Sequence, residues 1–429
     1  MNTHYDAIVI GAGPAGSAAA AVLAMKGRRT LVLEREKFPR YHVGESLIPY
    51  AYFSLQRIGV IERLKKSHFP SKHSVQFVSR SGQQSQPFYF SDHMKHEASC
   101  TWQVLRSEFD QMLMENAREK GAEVWEETTV TNTIQDGGVT VGVEAVTKDG
   151  RKLEFRAPMT IDATGRDSLS MLRNGWRVRD AKLNKIAIWT YYTGPVRDPG
   201  LDAGATTIAS VPERGWFWYI PLPRDSVSVG IVAEKDYLYR GTRDLQGIFL
   251  RELGENTWVR EHLAPGERTE PFRVTGEFSY RSRYCAADGL VLAGDAFGFL
   301  DPVFSSGLFF ALRSGELAGQ AADEALTAGD FSASRFTVYS EEMRSGIEAM
   351  RRLVYAFYDQ DFSFAKLLKG HPELGPDLTD CLIGNLSRDF EPLFRAVAEF
   401  ADVPEALPHG GPLVETGREP VVTSEVSVS

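Results

Sequence analysis

An α/β fold is predicted for this 429-residue chain by three features of its pattern. The first 34 residues read strand, glycine turn, helix, strand. Residues 182–279 read mainly as strands, and residues 331–400 carry a helical period. In the opening unit, Tyr5-Asp6-Ala7-Ile8-Val9-Ile10 is an apolar run of the kind that forms a buried strand. Gly11-Ala12-Gly13-Pro14-Ala15-Gly16 follows, then a helix of small residues from Ser17 to Met25, then Thr30-Leu31-Val32-Leu33 ending in Glu34. This is the order and length of a Rossmann-like dinucleotide-binding unit. Gly11 permits the tight turn, Gly13 admits a pyrophosphate to the backbone, and Gly16 lets helix and strand pack closely. Glu34, about 20 residues on, is placed to accept hydrogen bonds from a ribose. The helix start offers free N–H groups and a positive dipole end to phosphates. The unit by itself does not separate FAD from NAD.

Further along, Lys37 to Leu47 forms a polar, glycine-containing loop directly after that acid, and its position makes cofactor contact plausible. The spacing predicts a helix over 48–57 stopped at Gly59, strands at 75–78 and 88–90, and a strand at Trp102-Gln103-Val104-Leu105. Ser107 reads as the N-cap of the next helix, with Asp110 completing an approximate capping box. Phe109, Met112, Leu113, Asn116 and Ala117 share one face of it, and Gly121 ends it. A meander is predicted over 123–131, 139–147 and 152–156, joined at Asp-Gly turns. Thr160 to Arg166 runs as a strand into another glycine turn. The second sheet is read with one helical insertion, at about 245–252. Gly289 to Ala296 then returns to a buried strand ending in Gly294-Asp295, and a helix is predicted over 308–328. The tail 409–429 has no periodicity and is expected to be disordered.

Composition narrows the classes. Hydrophobic residues make up 43% and charged residues 24%, as in an ordinary soluble globular protein. The net charge of −9 argues against nucleic acid as the main partner. Cys100, Cys285 and Cys381 are few, odd in number and widely spaced, which suits neither a metal cluster nor a disulfide framework and suggests a reducing compartment. No apolar run reaches the roughly 20 residues of a membrane span. With the first strand so near Met1, no signal peptide is expected, and the location read from this is cytoplasmic.

The combination of the glycine turn, Asp162-Ala163-Thr164-Gly165 and Gly294-Asp295 resembles the large FAD-binding superfamily related to para-hydroxybenzoate hydroxylase, over roughly residues 1–330. A narrower resemblance lies inside it. Gly215-Trp216-Phe217-Trp218-Tyr219-Ile220-Pro221 contains Trp-x-Trp-x-Ile-Pro and looks like the flavin-dependent halogenases. Two Trp on one strand face are also ordinary core aromatics, and both roles are compatible. Asp301-Pro302-Val303-Phe304-Ser305-Ser306-Gly307 resembles the phenol- and pyrrole-directed branch. The tryptophan-directed branch has a glutamate where this chain has Phe304, which argues against free tryptophan as substrate. Phe69-Pro70-Ser71-Lys72 fits the Phe-x-x-Lys context of the halogenase lysine, although His73-Ser74 follows where a glycine is usual.

The resemblance implies FAD, used as FADH2 from a separate flavin reductase, with O2 and chloride or bromide. It implies hypohalous acid relayed to Lys72 and then to an electron-rich phenol- or pyrrole-like ring, free or tethered to a carrier protein. Trp216 and Trp218 would wall the cofactor from the substrate, and Ser306 and Gly307 would hold the halide. Cofactor contacts are expected from Gly11, Gly13, Pro14, Ala15, Gly16, Glu34, Arg35, Arg40, Glu45, Ser46, Asp295, Pro302, Gly307 and Leu308, with Arg106 on the phosphates or ribityl chain. No metal is expected. The expected organisation is an FAD-binding domain over 1–75, 101–180 and 280–330, and a mixed or antiparallel β-sheet substrate domain over 76–100 and 181–279. A C-terminal helical region over 331–408 completes it. Rival readings are an aromatic monooxygenase or a prenyl reductase on the same scaffold, or a non-catalytic flavoprotein.

Overall fold

Four parallel strands form the centre of the first sheet, in the order Thr30–Leu33, Ala7–Ile10, Met159–Asp162, Leu290–Leu292. In the computed structural model, which describes residues 4–213, 215–276 and 279–414, this sheet has seven strands. Glu123–Trp125 adds in parallel to one edge; Tyr284–Ala287 adds antiparallel to the other. The opening run is buried on both faces, as its unbroken apolar sequence predicts. Ala7 and Val9 face the helices, while Ile8 and Ile10 pack with Leu31, Leu33 and Phe155 beneath a three-stranded meander. Gly11 sits at φ +96° with the Ala163 carbonyl so close that a Cβ would lie 2.6 Å from it. At Gly16 a Cβ would lie 1.9 Å from the Gly11 carbonyl, so the helix Pro14–Met25 can lie on its strand only without one.

A broad eight-stranded sheet makes the second layer, chiefly antiparallel, with Ser74–Val78 pairing in parallel with Thr206–Ser210. Its strand Trp216–Pro221 shows the period of two directly. Trp216, Trp218 and Ile220 face the nucleotide layer, while Phe217 and Tyr219 pack outward against Phe249 and Trp258. Four helices between Thr337 and Val397 follow the long helix Gly307–Ala328. Among the described residues no helix is long and apolar enough to cross a membrane.

Several elements differ from their expected form. The helix expected over 48–57 begins at Ala51, after Pro49. The helix expected from Ser107 spans Arg106–Glu119 with no side-chain cap. Asp110, expected to complete a capping box, is drawn off by two guanidinium groups, and charge pairing in a buried site outweighs a cap. The strand expected through Leu105 stops at Trp102, because the Gln103 and Val104 amides bond to the Pro70 and Glu45 carbonyls instead. The stretch 123–131 is broken at Glu127, which takes φ 55°, and its halves join different sheets. A second helix, Thr257–Leu263, follows the expected insertion and is capped by Asn256. In the tail expected to be disordered, Gly411–Pro412 pairs with Tyr284 and Ala286; Gly410 N–H to Arg283 O and Leu413 N–H to Ala286 O hold it there. Residues 415–429 of that call lie outside the described residues.

Candidate active site

The carboxyl ends of the parallel strands face the inner side of the broad sheet across a cavity of about 740 Å³. This is where ligands bind in doubly wound folds, because the helix N-termini point there. Gly11, Gly13, Pro14, Ala15, Glu34, Arg35, Arg40, Glu45, Ser46, Arg106, Asp295, Pro302, Gly307 and Leu308 all line it, as do Trp216 and Trp218. Gly16, Lys72 and Ser306 do not. Gly16 serves helix packing, and Ser306 is buried behind Ser305, which takes φ 56° and faces the cavity in its place.

One end is built for a dinucleotide. The helix at Pro14 has no side-chain cap, so its amides are open toward the cavity. Glu34 accepts the Ala12 N–H at 2.8 Å and the Glu36 N–H at 2.9 Å, leaving further lone pairs for hydroxyls. Arg35 is held at the rim by Asp167. Arg106 donates twice to Asp110, both at 2.8 Å, and to the Val43 carbonyl at 2.9 Å; Arg40 shares Asp110 at 3.1 Å. The Arg106 charge, with burial, holds His42 down at about 4, so this imidazole is neutral. Asp295 stands at the cavity with no hydrogen bond from a described side chain, and burial pushes its carboxyl up to about 6. An acceptor left open beside an uncapped helix start fits a polyhydroxylated chain and its pyrophosphate. The site therefore fits FAD.

The other end is aromatic. Trp216 and Trp218 lie 6.2 Å apart between ring centroids, and Trp189 lies 6.4 Å from Trp218. Gly230 is paired with both Trp189 and Trp218, and a Cβ there would lie 2.4 Å from the Trp218 ring. Each indole N–H is anchored: Trp216 to the Tyr358 hydroxyl at 2.8 Å, Trp218 to Ser228 at 3.0 Å, Trp189 to Tyr41 at 2.7 Å. Tyr358 in turn donates to Asp301 at 2.9 Å, tying the indole wall to the loop before the long helix. Burial pushes the Asp301 carboxyl up to about 6. Replacing Tyr358 by phenylalanine strands the Trp216 N–H and one oxygen of the Asp301 carboxylate, whose other oxygen keeps the Val303 N–H. A stability loss of about 1–3 kcal/mol is expected in urea unfolding, with a shift in tryptophan emission.

Lys72 lies behind this cavity on the short strand Ser71–Lys72. Its ammonium is fully buried and donates to Ser46 Oγ at 2.8 Å and the Leu47 carbonyl at 3.1 Å. Burial alone brings its pKa down to about 7. Phe304 lies in an apolar cluster, 5.9 Å from Phe357 and 6.3 Å from Phe364 between ring centroids. The residues missed from sequence are Trp189, Tyr191, Thr206 and Tyr358, with Tyr41 quoted only as part of a loop. Of these, Trp189 and Tyr191 left a signal, since both fall on the inward period of an expected strand. The others are recruited by hydrogen bonds across large sequence distances.

The comparisons agree with this arrangement. The family profile described as tryptophan halogenase matches residues 6–101 and 87–364. A 1H-pyrrole-2-carbonyl-[peptidyl-carrier protein] chlorinase of Pseudomonas fluorescens is 30% identical over 410 residues, 90% of each chain. The corresponding brominase of Pseudoalteromonas luteoviolacea is 31% identical over 390 residues, covering 88% of this chain and 90% of that one. Among solved structures, the flavin-dependent brominase Bmp2 superposes with a TM-score of 0.84 at 28% identity, over 92% of this chain and 98% of that one. The myxobacterial chondrochloren halogenase CndH superposes with a TM-score of 0.77 at 30% identity, over 93% and 96%. With the FAD end, the indole wall and the buried lysine in one continuous arrangement, the chain belongs to the tryptophan halogenase family and is a flavin-dependent halogenase.

Proposed function

We propose that this halogenase acts on a pyrrole- or phenol-like ring presented on a carrier protein, and that Lys72 passes the halogen to it. Reduced FAD, delivered by a separate reductase, supplies with O2 the oxidising power that turns chloride or bromide into hypohalous acid. The protein's own part is positioning and exclusion. Gly307 and the backbone beside Ser306, at the start of the long helix, offer the positive dipole end to the halide. Trp216 and Trp218 keep the organic substrate away from the cofactor.

One observation carries the reading: a fully buried lysine with no carboxylate partner among the described residues lies one hydrogen bond behind the cavity wall, through Ser46. A structural lysine would be paired or would reach solvent. The pyrrole- and carrier-directed part rests on the two relatives named above, and on Phe304, an apolar ring packed with Phe357 and Phe364. The test uses FAD, a flavin reductase, NADH and bromide with two substrate sets, free phenols and a pyrrole-2-carbonyl group on a carrier protein. Brominated carrier-bound pyrrole, absent with Lys72→Ala, is the expected result. Hydroxylated product formed without bromide would overturn the reading.

A further inference from the structure

We infer that Ser46 is a proton shuttle in halogen transfer to Lys72, with Thr206 and Gln103 completing its hydrogen-bond network. The inference rests on the role proposed above for the lysine.

Lys72 is offered two acceptors, Ser46 Oγ at 2.8 Å and the Leu47 carbonyl at 3.1 Å, and it is fully buried. A neutral amine has two N–H groups and one lone pair, so both donors are used and the lone pair alone is left for chemistry. An ammonium would bring a third N–H with only the face of Phe90, 5.6 Å away, to receive it. The titratable groups around this segment turn elsewhere. Glu45 accepts from Tyr191 at 2.7 Å and from the Gly44 N–H at 3.1 Å. His73 lies against Cys100 at 3.8 Å, and Asp202 accepts from Ser74 and Tyr89. Burial, with no opposing charge, lowers the Lys72 pKa to about 7, in agreement with the acceptor count.

The hydroxyl protons can be counted. The Gly204 carbonyl can only accept, so the Gln103 amide nitrogen must face it, at 2.9 Å. The same nitrogen donates to Thr206 Oγ1 at 2.8 Å. Thr206 and Ser46 are 2.9 Å apart and share one O–H between them. Two hydroxyls carry two protons, and Lys72 and Gln103 are donors to them. One O–H is therefore left over, and both residues line the cavity where it can be presented. The loop holding Ser46 is itself fixed by backbone bonds, Leu47 N–H to Trp102 O at 3.1 Å and Val104 N–H to Glu45 O at 2.7 Å.

This arrangement suits one balanced step. The lone pair of Lys72 takes the halogen from hypohalous acid, forming N–X as O–X breaks with its electron pair on oxygen. The departing hydroxide takes a proton from Ser46, which takes one N–H proton from Lys72. The sum is R–NH2 + HOX → R–NHX + H2O, and nothing beyond the hypohalous acid is consumed. Without the hydroxyl, hydroxide must leave unprotonated into a closed space.

The test compares wild type, Ser46→Ala, Ser46→Thr, Thr206→Val and Lys72→Ala as FAD-loaded proteins, with FAD occupancy titrated in each. Two products are followed: brominated ring, and bromination of a dissolved β-diketone that captures hypobromous acid outside the site. For Ser46→Ala, ring bromination is expected to fall about 10²- to 10⁴-fold while capture by the diketone persists. Ser46→Thr, which keeps the hydroxyl, is expected within about tenfold of wild type, and the slowing by D2O expected in wild type should vanish in Ser46→Ala. Thr206→Val should fall between them. Ring bromination by Ser46→Ala within about threefold of wild type overturns the shuttle. So does loss of ring and diketone products together, which would place Ser46 in halide oxidation. If Lys72→Ala still brominates the ring, the lysine reading itself fails and takes the shuttle with it.

Discussion

Lys72→Met is expected to abolish ring halogenation and at the same time to stabilise the protein. The first effect follows from removing the amine, and a loss of about 10²-fold or more in product is expected while reduced-cofactor oxidation continues. The second follows from the site. Lys72 is fully buried, no carboxylate of the described residues bonds to it, and its pKa falls from 10.5 to about 7 by burial alone. Between those two values the unfolded chain binds the proton that the folded chain gives up. Stability therefore rises with pH through that window, and the full deficit is present below about pH 7. Methionine has similar bulk and no charge to desolvate, so at pH 7 the variant should gain on the order of 2–4 kcal/mol. Urea unfolding at pH 6, 7 and 9 reads it directly, and the gain should shrink toward high pH. A variant less stable than wild type at pH 6 would mean a charged, well-paired lysine. Wild-type halogenation should itself rise through about pH 7, as the free amine is formed.

That burial was not legible in the residues around Lys72. Phe69-Pro70-Ser71-Lys72 reads as a loop bearing a solvated cation, and only the resemblance to halogenases singled it out. What closes over the amine comes from elsewhere: Ser46 and Leu47, 26 and 25 residues upstream. The βαβ unit was legible for the opposite reason, since its strand, turn and helix are decided within 34 residues by apolar runs and glycines. Trp216 and Trp218 were legible as a wall because a strand's period of two puts them on one face. Their anchors were not, because Tyr358 lies 142 residues from Trp216 and no local pattern links them. Asn256, by contrast, was a readable cap for the missed helix at Thr257, since its side chain accepts the Val259 N–H within its own turn.

Asp110 shows the same competition between local and distant partners, and Asp110→Ala should be among the most damaging single changes in the protein. A capping role in its own helix would make its loss worth about 1 kcal/mol. Instead it receives Arg106 through two bonds of 2.8 Å and Arg40 at 3.1 Å, with the Asp110 side chain at 0% exposure and Arg106 at 6%. Burial pushes the Asp110 carboxyl up, but the charge and hydrogen bonds of Arg106 outweigh it and hold the group below its usual value. Its contribution is therefore complete at neutral pH and is lost only as acid protonates it. Removing it leaves a buried guanidinium without a counter-charge, and a loss of about 3–5 kcal/mol in urea unfolding is expected. Because Arg106 and Arg40 also line the cavity, FAD affinity should fall with it in titrations followed by flavin fluorescence. The double variant Arg106→Met/Asp110→Leu separates the two effects. Replacing the pair by apolar side chains removes the uncompensated charge, so most of the stability should return. FAD affinity should not, since no guanidinium remains at position 106 to meet the phosphates or the ribityl chain. Recovery of both would make the pair purely structural, and would leave the uncapped helix at Pro14 to hold the pyrophosphate without it.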